Sequence, residues 1–125
     1  MTLVAVVDDN ADSRLLVDAI LGDLYEVRGY ASGAEALAGF AERVPDVVML
    51  DISLPGMTGP DILARMRADR RLRRVPAIAL TAHAMTGARE RYLGAGFDEY
   101  VSKPIIDETA LLRAVERVLG AAATG

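Results

Sequence analysis

Short apolar runs alternate with amphipathic segments along the whole chain, and this alternation is the feature that most restricts the fold. The apolar runs are "LVAVVD" (3–8), "YEVRGYA" (25–31), "DVVMLD" (46–51), "AIALTA" (77–82) and "EYVS" (99–102). Each run is followed by a segment with helical spacing, over 11–23, 33–43, 59–68, 84–94 and 107–120. Strands that are apolar on both faces, each followed by a helix, predict a parallel sheet covered by helices on both sides. The weaker alternation of 25–31 is typical of an edge strand.

Each predicted helix has a stripe of apolar residues that we expect to face the sheet. The stripes, in chain order, are Leu15, Leu16, Ala19 and Ile20; Leu37, Phe40 and Ala41; Ile62, Leu63 and Met66; Ala84, Ala88 and Tyr92; and Leu111, Leu112, Val115, Val118 and Leu119. We expect one domain over 1–125, with a frayed tail at 121–125.

Composition limits the classes of function. The 125 residues carry 14 Lys and Arg against 18 Asp and Glu, a net charge of −4, which lacks the positive field of a general nucleic-acid binder. The absence of cysteine excludes disulfides, thiolate metal sites and cysteine nucleophiles. Neither a signal peptide nor an apolar run of membrane-spanning length is visible, so a cytoplasmic protein is expected.

Polar residues mark the carboxyl ends of four predicted strands. Asp8 and Asp9 end the first, Asp51 the third and Thr81 the fourth, and the fifth runs into Lys103. Ligands of open parallel sheets bind outside these ends. If the first and third strands are neighbours, three carboxylates meet there, and carboxylate oxygens suit Mg²⁺. A lysine and a hydroxyl nearby would serve the oxygens of a phosphoryl group.

Each residue also has a purely structural interpretation. The Asp8–Asp9 pair could be a solvated turn, with Asn10 capping the next helix. Asp51 could be an ordinary turn acid, and Thr81 a simple strand former. Their joint position at one edge of one sheet is what favours the functional interpretation.

Four ordered motifs, "VVDDN", "VMLDISLPGMTG", "ALTAHA" and "YVSKPI", resemble those of the response-regulator receiver domain of two-component signalling. The resemblance extends from Leu3 to Leu119, and within the family it is greatest to single-domain cell-division regulators and to receivers of hybrid histidine kinases. It implies a flavodoxin-like (βα)5 doubly wound sheet in the order 2-1-3-4-5.

The resemblance also implies the roles of individual residues. Asp51 would be the phosphoacceptor, Lys103 the phosphate-binding lysine, and Thr81 and Tyr100 the switch pair. Mg²⁺ would be bound by Asp8, Asp9, Asp51 and the backbone carbonyl of Ser53, and no other cofactor is expected. The remaining implied roles are tuning of the phosphoryl lifetime by Ser53 and His83, and a cis peptide bond before Pro104.

The implied partners are a histidine kinase or a histidine phosphotransfer protein as phosphodonor. An output protein would bind the face formed by the fourth helix, the fifth strand and the fifth helix. With no effector segment after the last helix, we expect signalling through a separate protein; a receiver belonging to a larger hybrid kinase or regulator is the alternative. The family domain is a signalling module that catalyses only its own phosphorylation and dephosphorylation.

Two rival classes fit less well. A Mg²⁺-dependent phosphohydrolase of the haloacid dehalogenase type needs a second acid two residues after its nucleophile, where this chain has Ser53. A flavodoxin-like cofactor binder needs a phosphate loop where Asp8 and Asp9 would repel phosphate. The run "RMRADRRLRR" (65–74) carries six arginines, but at the edge away from the acids, so we expect protein docking there instead of nucleic-acid or membrane binding.

Overall fold

The structure, a computed structural model, describes residues 2–82, 87–103 and 108–124. Its strands are β1 (Leu3–Val7), β2 (Glu26–Tyr30), β3 (Val47–Asp51), β4 (Ala77–Thr81) and β5 (Glu99–Ser102). Its helices are α1 (Ala11–Leu21), α2 (Gly33–Glu42), α3 (Gly59–Ala68), α4 (Ala88–Gly94) and α5 (Glu108–Thr124). Strands and helices alternate in the predicted order.

All five strands are parallel and lie in the order β2-β1-β3-β4-β5, which confirms the expected topology. β2 is an edge strand, as its weak alternation predicted. In the register of the central strands, Val7 lies opposite Leu50, and Asp51 lies opposite Leu80. The ends of β1, β3 and β4 therefore meet at one edge of the sheet.

Two apolar layers cover the sheet. β1, β3 and β4 are buried along their whole length, which explains why their sequences are apolar up to the last residue, which is Asp51 in β3 and Thr81 in β4. One layer joins Val7 and Leu50 to residues of α2, α3 and α4, among them the buried Phe40 and Met66. The other joins alternate strand residues to α1 and α5. Because helices cover both faces of the sheet, the accessible crevice of the domain lies outside the carboxyl ends of the strands.

Three helices differ from the expectation. α4 begins at Ala88, directly after Gly87 with its φ of 86°, and residues 84–86 of the predicted helix lie outside the described part of the chain. In α1 the buried residues are Val17 and Leu21, while Leu15 and Leu16 of the predicted stripe are exposed and Ile20 is half-buried. Apolar residues lie on two sides of this helix, and only one side meets the sheet. The last helix extends to Thr124, beyond the predicted end at 120, because alanines at 121–123 are strong helix formers.

The start of α3 is built to approach the end of β3. Thr58 caps the helix, its hydroxyl accepting from the Asp61 N–H while the Asp61 carboxylate accepts from the Thr58 N–H. A Cβ on Gly59 would lie 2.6 Å from the carbonyl oxygen of Asp51. Glycine at this position therefore lets α3 begin directly against the residue that ends β3.

Candidate functional site

The three predicted acids lie together at the carboxyl edge of the sheet. Asp8 is fully buried, Asp51 is 5% exposed, and Asp9 is exposed to solvent. One carboxylate oxygen from each lies within 4.8 Å of those of the other two. The neighbouring positions of β1 and β3 bring them together, as the sequence predicted.

Lys103 lies between two of these acids. Its Nζ donates to Asp8 Oδ2 at 2.9 Å and to Asp51 Oδ2 at 3.3 Å. Partial burial of Lys103 opposes its charged form, but Asp8 and Asp51 outweigh that effect and raise its pKa above the ordinary value. The lysine therefore stays an ammonium ion at neutral pH and neutralises part of the acidic cluster.

Backbone groups fix the direction of both buried carboxylates. Asp8 Oδ1 accepts from the Asn10 N–H at 3.0 Å, and Asp51 Oδ1 accepts from the Ser53 N–H at 3.0 Å. Asn10 in turn caps α1 by accepting from two of its N–H groups, so the structural role suggested for Asn10 and the site coexist. Arg14 Nη1 donates to the Asp8 carbonyl at 2.6 Å. Each buried acid is thus held through one oxygen by the backbone and through the other by Lys103.

The acidic cluster has the chemistry of a site for a hard divalent cation. Such ions take oxygen ligands, and Mg²⁺ combines a few carboxylates with water. Asp8, Asp9 and Asp51 offer three oxygens of this kind, on a rim where Asp9 remains open to solvent. Three carboxylates against one lysine leave the cluster negatively charged, so the residues fit a cation.

Thr81 lies at the end of β4, and its hydroxyl has a partner that the sequence did not reveal. Thr81 Oγ1 and the Tyr92 hydroxyl oxygen are 2.9 Å apart, in a hydrogen bond between two buried side chains. The sequence predicts Tyr92 in the apolar stripe of the fourth helix, and its ring does pack in the core. Its hydroxyl could not be assigned from spacing, because the contact joins residues 11 apart on different elements.

Tyr100 is half-buried and packs against Tyr92, with ring centroids 6.0 Å apart. The Tyr100 ring covers part of the core beside α4. Ser53 is exposed and meets the site through its N–H. The roles predicted for His83 and Pro104 lie outside the described residues.

The arginine run lies at the opposite edge of the sheet. Arg67 Nη1 donates to the Val75 carbonyl at 2.7 Å, and its Nη2 pairs with Asp98 at 3.4 Å. Arg71 donates to the Ala41 carbonyl at 3.1 Å. These two arginines close the connection after α3, away from the acids. None of the helices in the described part of the chain has the length and apolar character of a membrane span.

A five-stranded parallel sheet whose carboxyl edge combines three acids, a lysine and a hydroxyl defines a class of α/β protein that binds charged groups at its strand ends. Comparison with known proteins narrows this class. The family model described as "Response regulator receiver domain" matches residues 4–116. The chain therefore belongs to the response regulator receiver domain family, and it is a phosphoacceptor module of two-component signalling.

Individual relatives agree in sequence and in structure. The polar-differentiation response regulator DivK of Brucella ovis is 40% identical over 103 residues, which are 82% of this chain and 84% of that protein. The chemotaxis protein CheY4 of Vibrio cholerae superposes with a TM-score of 0.85 at 30% identity, covering 94% of this chain and 98% of that one. The NtrX receiver domain of Brucella abortus gives 0.83 at 29% identity, with the same coverage.

Proposed function

We propose that Asp51 is the residue that accepts the phosphoryl group, and that Asp8, Asp9, Lys103 and Thr81 serve this transfer. The observation that carries the proposal is the Lys103 ammonium group, shared between Asp8 at 2.9 Å and Asp51 at 3.3 Å at the strand ends. It places one positive charge beside the carboxylate that ends the central strand β3. Asp51 is also held by the Ser53 N–H, which orients its side chain.

In the transfer, a carboxylate oxygen of Asp51 attacks the phosphorus of the donor. The bond from phosphorus to the donor nitrogen or oxygen breaks, the leaving group keeps the electron pair, and an acyl phosphate forms on Asp51. Phosphoryl transfer depends mainly on positioning and charge neutralisation, which the fixed carboxylate and the lysine provide. Lys103 can keep its contact with Asp8 while its charge turns from Asp51 to a phosphoryl oxygen.

We propose that Asp8, Asp9, Asp51 and the carbonyl of Ser53 hold Mg²⁺, directly or through water. When bound, the cation would shield the incoming phosphoryl oxygens from the acids. The cluster of carboxylate oxygens within 4.8 Å supports this assignment. Burial of Asp8 and Asp51 strengthens it, because their charges are poorly screened by solvent.

The phosphodonor is proposed to be a histidine kinase or a histidine phosphotransfer protein that docks beside the acids. α1 begins two residues after Asp9, and it exposes Leu15 by 67% and Leu16 by 37%. Large apolar side chains at adjacent exposed positions favour a protein contact over solvent. The output protein is proposed to bind the face formed by α4, β5 and α5, where Tyr100 packs against Tyr92 beside Thr81.

Intact-mass measurement after treatment with acetyl phosphate and Mg²⁺ tests the acceptor. One added phosphoryl group is expected in the wild type, and none in Asp51→Asn or when the metal is chelated. Asp46→Asn is the matched control, because Asp46 lies at the other end of β3 and bonds to the Leu3 N–H. Equal labelling of Asp51→Asn would contradict the assignment.

Protein donors test the docking surface separately. Leu15→Lys should slow transfer from a phosphorylated histidine phosphotransfer protein while leaving labelling by acetyl phosphate unchanged, because a small donor needs no docking. Leu24→Lys is the control, since Leu24 is 58% exposed and precedes β2 at the opposite edge. Equal slowing by both variants would remove α1 from the proposed docking surface.

A further inference from the structure

The hydroxyl of Thr81 is already engaged before any phosphoryl group arrives. Its oxygen lies 2.9 Å from the Tyr92 hydroxyl oxygen, and the two residues are 2% and 7% exposed. A hydrogen bond of this length between two buried hydroxyls is well formed. It links the end of β4 directly to the middle of α4.

Aromatic neighbours hold the Tyr92 ring in place. Phe97 packs edge-on against it at a centroid distance of 6.3 Å, and Tyr100 lies tilted against it at 6.0 Å. The ring therefore cannot follow the Thr81 hydroxyl freely if that hydroxyl turns. Buried hydroxyls are rarely left without a partner, so a turn of Thr81 also disturbs Tyr92.

α4 is a short helix. It is 7 residues long and follows Gly87, whose φ is 86°. Among the described residues it receives no side-chain hydrogen bond at its N-cap. Loss of one buried contact is therefore a large change for this helix.

We propose that Tyr92 is a positioning residue that holds the Thr81 hydroxyl away from the phosphoryl site and opposes switching. The inference rests on the proposed function, in which Thr81 bonds to a phosphoryl oxygen on Asp51. Asp51 lies opposite Leu80 in the β3–β4 register, so Thr81 follows directly at the rim of the site. When Thr81 turns to the phosphoryl oxygen, its bond to Tyr92 breaks and α4 loses its link to β4. The same bond thus sets how difficult switching is and carries the change to α4.

Beryllofluoride, a non-covalent mimic of the phosphoryl group, tests the proposal on the whole chain with Mg²⁺ present. Tyr92→Phe keeps the ring and removes only the hydroxyl. By calorimetric titration it should bind beryllofluoride about two- to tenfold more tightly than the wild type, which is the range expected when one opposing hydrogen bond is lost. Tyr100→Phe is the matched control, because it removes a hydroxyl from the adjacent ring, and it should not tighten binding.

A double-mutant cycle assigns the effect to the bond. In a Thr81→Val background, Tyr92→Phe should no longer tighten binding, because the shared hydrogen bond is already absent. An equal gain in that background, or unchanged or weaker binding by Tyr92→Phe alone, would overturn the proposal. If the wild type binds beryllofluoride and the variants give either of these results, only the role of Tyr92 is contradicted. If the wild type does not bind beryllofluoride at all, the proposed function is contradicted as well.

Amide hydrogen exchange of the wild-type chain provides a test that needs no variant. Beryllofluoride should speed exchange across 88–94 severalfold, since α4 loses its contact with Thr81. Unchanged or slower exchange in that helix, with protection changing only beside Asp8, Asp9 and Asp51, would overturn the proposal.

Discussion

Removing the Asp51 charge should stabilise the protein when no divalent cation is present. One carboxylate oxygen from each of Asp8, Asp9 and Asp51 lies within 4.8 Å of the other two. At an effective dielectric of about 20, each pair of unit charges at that distance repels by about 3.5 kcal/mol. Asp51 takes part in two such pairs, so its charge raises the free energy of the folded state by about 7 kcal/mol.

Lys103 offsets most of this repulsion. At the observed 3.3 Å from Asp51, the attraction is about 5 kcal/mol at the same dielectric. Asp51→Asn removes both the repulsion by the other two acids and the attraction by Lys103, and it keeps an oxygen that can accept from the Ser53 N–H. The net expectation is a free energy of unfolding about 2 kcal/mol higher than that of the wild type in chelator, and less at high salt.

Urea unfolding at neutral pH, with chelator and then with Mg²⁺, measures the difference. Mg²⁺ at ten times its dissociation constant should stabilise the wild type by about 1.4 kcal/mol, and should stabilise Asp51→Asn less. Asp23→Asn removes one exposed carboxylate from a turn and serves as the charge-matched control. The reasoning would be refuted if Asp51→Asn were no more stable than the wild type in chelator, or gained as much from Mg²⁺.

Three further variants test the support of the site. Gly59→Ala should destabilise the fold by about 1–3 kcal/mol in urea unfolding, because its Cβ meets the Asp51 carbonyl oxygen at 2.6 Å, while Gly94→Ala, with open space around it, should not; equal effects would contradict this close approach. Lys103→Met should lose stability relative to the wild type below pH 10.5, and the difference should shrink as pH rises through the raised pKa of Lys103, because the ammonium stabilises the folded state only while protonated. A difference that is constant up to pH 12 would remove this explanation. Thr58→Ala should lower the unfolding free energy by about 1 kcal/mol and Thr58→Ser by much less, since serine keeps the capping hydroxyl; similar losses would exclude the cap.

The sequence predicted those features that depend on local chemistry. α3 begins and ends where expected, because Thr58 and Pro60 are strong start signals beside a clear apolar stripe. The acids could be placed because parallel strands carry their carboxyl ends to one edge. The inward side of α1 could not be predicted, because Leu15 and Leu16 match a helical period as well as the buried Val17 and Leu21 do. Periodicity identifies a helix but does not tell which apolar side meets the sheet.

The contact between Thr81 and Tyr92 shows a second limit. The sequence indicates a role for the Thr81 hydroxyl and for the apolar ring of Tyr92, each taken alone. Their hydrogen bond depends on how α4 is seated on the sheet, which is decided by packing against Phe97 and Tyr100. Long-range hydrogen bonds of this kind can be identified only from the three-dimensional structure.

The most direct test of the central claim locates the phosphoryl group on the chain. After reaction with acetyl phosphate and Mg²⁺, borohydride reduces an aspartyl phosphate to homoserine, and trypsin then releases peptide 44–65, which contains Asp46, Asp51 and Asp61. Fragment-ion masses should place the homoserine at residue 51 alone. Homoserine at Asp8 or Asp9 in peptide 1–14, or none at residue 51, would contradict the account.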